Sequence, residues 1–312
     1  MVKIGLVNID TSHPLAFSKI LNAEGRARYA AIFNDGFRGD DEVIGFMKNA
    51  GIDSRADTVE ELADITDIGF IQGCDWDRHL DLALPFINRG KPVFLDKPAV
   101  GSLADCDRLE SLVENGAVIL GSSSVRYCSE IAGYLARPVS ERGEIAHVYG
   151  TSGVDEFNYG VHIVEGIGAL LGTGAESCAF CGRGSAGGMN AETFNIAYAN
   201  GKSATYTLFH GTWHPFEITV MTTKETARIS VDNALLYKCL LDRICNYMET
   251  GVNKLATARE LTESIKIMLA GKVSRERGGT RVAISKLPEY APAYDGREFE
   301  RGYAAAASKI YL

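Results

Sequence analysis

Pro92-Val93-Phe94-Leu95-Asp96-Lys97-Pro98, followed four residues later by Ser102-Leu103-Ala104-Asp105-Cys106, decides the fold. The apolar run at 92–95 reads as a strand buried on both faces. Ser102 and Asp105, three apart, are the capping box that opens a helix. Leu103, Cys106, Leu109 and Val113 then recur at helical spacing, and Gly116 closes the helix as its C-terminal cap. A second apolar run, 117–120, follows at once. Strand, helix and strand in that order make a parallel pair with its crossover.

The same rhythm extends back to the amino end. Strand-like runs stand at 3–7, 29–33 and 68–71, and a helical stripe of Leu80, Ala83, Leu84 and Ile87 ends at Gly90. Residues 1–122 are therefore expected to form a doubly wound parallel sheet of the Rossmann type. After Ser122 the rhythm changes. A helical pattern through Val161, Val164, Ile167 and Leu171 precedes alternating runs at 194–199, 204–210, 216–221 and 227–231. Two helical stretches follow at 235–248 and 257–269. Residues 123–285 are expected to be an α+β domain with a largely antiparallel open sheet, and the tail 286–312 shows no pattern. In the run 204–210, Ala204, Tyr206, Leu208 and His210 share one face and Thr205, Thr207 and Phe209 the other. A half-covered sheet of this kind predicts a homodimer or homotetramer formed through it.

With 312 residues, 46% of them apolar, the chain is long enough for two domains. Its 32 basic and 40 acidic side chains leave a net charge of −8. That balance, with no Lys/Arg stripe, argues against nucleic acid as a partner. No apolar run approaches the ~20 residues of a membrane span. Met1-Val2-Lys3-Ile4-Gly5-Leu6-Val7 lacks the basic head and cleavage site of a signal peptide, so the expected location is cytoplasmic. The seven cysteines are odd in number and scattered, as expected of small core residues rather than disulfides. Cys178 and Cys181, three apart on a strand-like stretch, are expected to face opposite ways.

Ligands of an open parallel sheet bind beyond the carboxyl ends of its strands. Asp96-Lys97-Pro98 places an ammonium there. Asn158 and His162, one helical turn apart, can aim a carboxamide and an imidazole at one spot beside the apolar stripe. The imidazole suits proton transfer to or from a hydroxyl or carbonyl oxygen, and the amide suits positioning. His210 and His214 have no third ligand nearby, and no metal site is expected.

Over nearly its whole length the chain resembles the glucose–fructose oxidoreductase, inositol dehydrogenase and MocA-like family (Gfo/Idh/MocA). Gly90-Lys91-Pro92-Val93-Phe94-Leu95-Asp96-Lys97-Pro98 is similar to the family's strand ending in Glu-Lys-Pro. Asp75-Trp76-Asp77-Arg78-His79 fits its preceding segment, and Gly160-Val161-His162-Ile163-Val164-Glu165 resembles its Asp-x-Gly-x-His-x-x-Asp helix start. Residues 242–251 and 256–267 resemble its closing helices. The resemblance implies an NAD-dependent enzyme, with NADP left open, that moves a hydride to or from a carbon of a sugar, polyol or related small molecule. Lys97 would then hydrogen-bond the reacting oxygen, His162 would be the general acid/base, and Asn158, where many relatives carry Asp, would orient substrate without relaying a proton. Arg126 and Tyr127 resemble a pair at the domain junction that either touches substrate or ties the domains. Trp213 and His214 are expected to line the sugar pocket.

The departure lies at the amino end. Relatives carry G-x-G-x-x-G after the first strand, so that backbone can approach the pyrophosphate. Here Asn8-Ile9-Asp10-Thr11-Ser12-His13-Pro14 has no glycine. Asp10 brings a negative charge near the phosphates. Thr11 or Ser12 can cap a helix with Pro14 in its first turn, whose free N–H groups attract an anion. Asn8, Asp10, Thr11, Ser12, His13, Asp35, Cys74, His79, Asp96 and Lys97 are the expected cofactor contacts. Asp35 favours NAD by repelling a 2′-phosphate, while Arg38 keeps NADP open. Two other functions fit the same frame. One is an NAD-cycling lyase, epimerase or glycosidase; the other is a cofactor-free sensor that lost the glycine loop.

Overall fold

The computed structural model describes residues 1–307. The amino-terminal half runs β1 (Val2–Val7), α1 (His13–Glu24), β2 (Ala27–Phe33), α2 (Asp40–Ala50), β3 (Ser54–Arg55), α3 (Val59–Ile65), β4 (Ile68–Ile71), α4 (His79–Ile87), β5 (Val93–Leu95), α5 (Leu103–Glu114) and β6 (Ile119–Gly121). Its six strands lie in the order β3-β2-β1-β4-β5-β6, all parallel. Helices cover both faces, so Leu6, Ile32, Phe70, Phe94 and Leu120 are fully buried. The order reverses between β1 and β4, which opens a crevice at the carboxyl ends of those strands. The expected start of α5 is present: Ser102 Oγ accepts from Asp105 N at 3.0 Å.

The second half continues α6 (Ser129–Ala136), α7 (Val139–Arg142), β7 (Ile145–Val154), α8 (Gly160–Leu171), β8 (Ala175–Ala186), β9 (Met189–Tyr198), β10 (Ser203–His210), β11 (Glu217–Thr222), β12 (Thr226–Ser230), α9 (Leu236–Thr250), α10 (Ala258–Glu276), β13 (Val282–Ala283) and α11 (Gly296–Ala306). The seven strands form one sheet, β12-β11-β7-β10-β9-β8-β13, in which β7 and β10 are parallel and the other neighbours antiparallel. This is the expected two-part α/β and α+β architecture. Helix α8 lays its apolar stripe on the sheet, and α9 crosses back to pack Leu240, Leu241 and Ile244 into the core of the parallel sheet with Phe17 and Leu21.

Two differences from the sequence expectation shape the surroundings of the crevice. β7, near the middle of the second sheet, has no counterpart among the expected runs. Its alternation is broken by Gly150, where a Cβ would stand 2.6 Å from Ile163 Cγ1. Glycine lets α8 approach the sheet closely, at the expense of the strand signal. The tail, expected to be patternless, forms α11, capped by Asp295 accepting from Glu298 N at 2.7 Å. Residues 308–312 of that tail lie outside the described residues.

On β8, Cys178 is buried and Cys181 exposed, so the two sulfurs face opposite ways as expected. Among the described residues no helix is long and apolar enough to cross a membrane.

Candidate active site

The end of β5 delivers Asp96 and Lys97 to the crevice. Asp96 is buried and accepts from Gln72 Nε2 at 3.1 Å and from the Lys97 amide at 2.8 Å. His13 Nδ1 lies 2.9 and 2.8 Å from its two oxygens. Burial alone would raise the Asp96 carboxyl. The His13 ring, the Lys97 ammonium and the Gln72 amide outweigh it and hold the group well below the usual carboxylate range. A fixed carboxylate thus anchors the backbone of the residue that follows, whose peptide to Pro98 is cis.

Lys97 is 9% exposed. Its Nζ donates to Asn158 Oδ1 at 2.6 Å and to Asn158 O at 3.2 Å, which leaves one N–H for another acceptor. The Tyr159 ring centroid is 5.4 Å away. Burial lowers the Lys97 pKa, and Asp96 and Asp155 oppose that shift.

Asn158 and His162 are held by the turn into α8. Val154, at the end of β7, adopts φ 72, a left-handed conformation strained for a β-branched residue. Its amide donates to Thr212 O and its carbonyl accepts from Gly211 N, both at 2.8 Å. The chain so turned presents Asp155, which accepts from Tyr159 N at 3.0 Å and from Asn158 Nδ2 at 3.2 Å. Asp155 therefore fixes the amide that faces Lys97.

One turn on, His162 Nδ1 lies 2.7 Å from Ser123 Oγ, just beyond β6, while Glu165 accepts from Ser122 Oγ at 2.5 Å. Two paired contacts thus set α8 in register with the edge of the first sheet. Ser123 Oγ also accepts from Val125 N at 3.2 Å. A hydroxyl both donates and accepts, so Ser123 supports either tautomer of the ring. Burial, with Lys97 and His13 nearby, pushes the His162 pKa well down, and the ring is neutral at pH 7.

Aromatic side chains wall this point. Tyr159 meets His162 at 6.0 Å and Trp213 at 6.3 Å between ring centroids, and Phe216 meets His162 at 5.2 Å. Trp213 also meets Phe216, at 6.1 Å. His214 stacks on Phe209 at 4.1 Å instead, and no ring contact joins it to the His162 group. Beside Asn158 opens a crevice of about 460 Å³ lined by Trp76, Phe157, Tyr294, Phe299 and Tyr303.

The other expected residues have particular duties. Arg126 is buried between Glu165 and Glu260, at 3.7 and 3.6 Å. Tyr127 donates to Gly121 O and accepts from Ala256 N at 2.9 Å. Tyr127 ties the halves together, one of the two roles expected of the pair, while Arg126 bridges α8 and α10. His79 is buried between Gly73 O and Ala99 O, at 2.9 and 3.1 Å, and braces the sheet edge.

At the diphosphate end Asn8 keeps a left-handed turn, φ 67, and accepts from Asp35 N at 2.9 Å and Gly36 N at 3.2 Å. Asp35 pairs with Arg78, Nη1 to Oδ1 being 3.2 Å. Ser12 stands at the α1 cap position without a side-chain cap bond. The His13 amide donates to Thr11 Oγ1 at 3.2 Å and Pro14 has none. This helix end therefore offers an anion fewer donors than expected.

Asp10 stands in the loop between β1 and α1. It is 1% exposed and accepts from Cys74 N at 3.0 Å, and its Oδ1 has no partner. A Cβ on Gly36 would stand 2.1 Å from that oxygen. Burial raises the Asp10 carboxyl to about 6, with Glu300 adding to the rise and the Cys74 amide and Arg38 opposing it. Burial and the charges of Asp10 and Glu300 likewise push the Cys74 thiol up. Donor atoms of Asp10, Cys74 and Glu300 lie within 4.8 Å of one another.

Lys97, Asn158, His162 and Ser123 fit the reacting end of a nicotinamide dinucleotide with a hydroxyl substrate. Beyond the carboxyl end of β1, where the diphosphate of a dinucleotide on such a sheet would lie, stand Asp10 and, from α11, Glu300. Sequence reasoning missed Ser123, Tyr159 and Tyr303. Ser123 follows a strand of the parallel sheet, so the rule that found Lys97 also points to it. Tyr159 adjoins Asn158, and Tyr303, four residues after Phe299, lies on the apolar face of the amphipathic α11.

No family model matches the chain, and no curated protein matches it in sequence. Solved structures do share its fold. Scyllo-inositol dehydrogenase from Lactobacillus casei, with bound NAD(H) and scyllo-inositol, superimposes with a TM-score of 0.75 at 14% identity, over 91% of this chain and 99% of that one. UDP-N-acetylglucosamine 3-dehydrogenase from Acidithiobacillus ferrooxidans gives 0.71 at 10% identity, over 88% and 98%. GenD2 from gentamicin A biosynthesis, in complex with NAD, gives 0.74 at 14% identity, over 90% and 96%.

Proposed function

We propose that this chain belongs to the Gfo/Idh/MocA family and is an NAD-dependent oxidoreductase acting on a hydroxyl-bearing carbon of a sugar, polyol or related small molecule. The observation that carries the proposal is the meeting of Lys97, from the first sheet, with Asn158 and His162, from the second half. Two dehydrogenases of this fold, one of them with bound NAD(H), and GenD2 in complex with NAD support it.

Bound nicotinamide supplies the hydride acceptor or donor. The remaining N–H of Lys97 donates to the reacting oxygen and stabilises the charge that develops on it. Asn158 aims the ammonium without neutralising it. His162 takes or returns the proton at Nε2, with Ser123 Oγ bonded to Nδ1 and able to serve either tautomer. Tyr159 and Phe216 exclude water, and the half-exposed Trp213 offers a face for C–H groups. Asp35 stands where a ribose carboxylate is expected. Arg38 turns inward, its guanidinium on Glu42, Asp10 O and Ala307 O, rather than toward a 2′-phosphate. The inward turn of Arg38 favours NAD over NADP, whereas the Asp35 charge is already paired with Arg78.

The test is incubation of the protein with NAD and a panel of polyols, sugars and aminosugars, followed at the absorbance of reduced nicotinamide. Accumulation that Lys97→Ala abolishes supports the reading. Turnover of substrate with no net reduction identifies the cycling lyase or epimerase instead. The filled diphosphate position favours a second reading, the cofactor-free sensor. It predicts that neither NAD nor NADP, in either redox state, binds below millimolar concentration.

A further inference from the structure

Helix α11 crosses the carboxyl edge of the parallel sheet at the place where a dinucleotide would lie. Its entry is clamped: Trp76 Nε1 donates to Tyr294 O at 2.7 Å, Tyr294 N to Gly101 O at 2.9 Å, and Gly296 N to Asp77 Oδ2 at 2.9 Å. In its middle Phe299 packs on Trp76, with ring centroids 4.9 Å apart, and Glu300 reaches Asp10 and Cys74. Toward its end Tyr303 meets Phe37 at 6.3 Å, and Arg38 Nη2 donates to Ala307 O at 2.8 Å.

The attachment is narrow. Contacts come from Phe299, Glu300, Tyr303 and Ala307, one stripe of the helix, while Arg297, Glu298, Arg301, Gly302, Ala305 and Ala306 are exposed. Within the helix only Gly296 is buried. Two aromatic contacts and a few hydrogen bonds hold it, with Phe299 at the rim of the core on Trp76, as expected of a segment of low local stability. Glu300, moreover, brings a second carboxylate to Asp10 at the point where backbone must approach two phosphates. Two carboxylates and a diphosphate repel one another in a half-buried site, so helix and dinucleotide exclude each other there.

We propose that residues 296–307 are a built-in strap that occupies the diphosphate position and is displaced when a dinucleotide binds. The inference rests on the dinucleotide reading given above. Affinity for the dinucleotide is then reduced by the fraction of molecules whose strap is closed.

The test compares NADH binding, by nicotinamide fluorescence, in the full chain, in a chain ending at Asp295, and in a Phe299→Ala/Tyr303→Ala variant that keeps the whole sequence. Trypsin cleavage at Arg297 and Arg301 is followed with and without NADH. The strap predicts binding at least tenfold tighter in both altered proteins, and NADH-accelerated cleavage in the unaltered one. Should the shortened chain fail to fold, the double variant and the cleavage rates still decide. Equal affinity in all three proteins with unchanged cleavage overturns the strap and leaves the dinucleotide reading standing. Absence of binding in all three overturns both.

Discussion

Lys97 Nζ and Asn158 Oδ1 are 2.6 Å apart, and through them the edge of the parallel sheet meets the turn that starts α8. Because Asn158 is in turn held by Asp155, the ammonium has a defined direction rather than a loose one. Lys97→Ala is expected to lower kcat by more than about 100-fold, the scale set by loss of a charge-stabilising donor. Its effect on the dinucleotide Kd should stay within about threefold. Asn158→Ala, which removes only the orientation of Lys97, should cost about tenfold in kcat. Steady-state kinetics beside NADH titrations separate these outcomes.

The pH profile reports on His162. Its lowered pKa means that the ring stays neutral as pH falls through 6.5 and takes up a proton only further down. Oxidation that uses the ring as base should therefore hold its rate through pH 6.5 and decline below it. Ser123→Ala removes the partner of Nδ1 and should lower kcat about tenfold, with KM little changed. A profile that instead falls at an ordinary histidine value would take His162 out of the base role.

Asp10 ties stability to pH. Its carboxyl is raised from 3.8 to about 6 in the folded protein, so the folded state favours the protonated form. This contribution is fully present below the unfolded value and is lost as pH rises through about 6. Asp10→Asn should remove that slope and stabilise the protein at pH 7, by up to about 3 kcal/mol from the size of the shift. Denaturant melts between pH 4 and 8 measure it.

Gly150→Ala probes the packing that hides β7 in the sequence. The added methyl would meet Ile163 at 2.6 Å, and a forced shift of that kind in a core costs about 1–3 kcal/mol. A melting temperature equal to that of the unchanged protein would show that α8 sits farther from the sheet than described.

Buried strands made the first half legible. Runs such as 68–71 and 92–95 are apolar throughout because helices cover both faces of the sheet, and the rule for open sheets then singles out Lys97. His162 was legible because the apolar stripe of α8 and a family pattern coincide there. The rest depends on tertiary contacts. β7 gives up its alternation to bring α8 close, and β3 is only two residues long. α11 is an amphipathic helix, but its apolar stripe rests on Phe299 and Tyr303 among small alanines, in a tail that Pro288 and Pro292 mark as irregular. Tyr303 reaches the site only because that helix folds back over the sheet. Asn8, Asp10 and His13 read as the loss of a glycine loop. Their contacts with Gly36, Cys74 and Asp96 show that the space has been refilled by side chains with partners of their own.

The most direct test is a crystal structure of the protein with NADH and an unreactive polyol analogue. The account predicts Lys97 Nζ and His162 Nε2 within about 3 Å of the same ligand oxygen, the nicotinamide stacked beside it, and Glu300 withdrawn from Asp10. An oxygen reached by neither group, or a dinucleotide bound elsewhere with α11 still seated on Asp10, would contradict it.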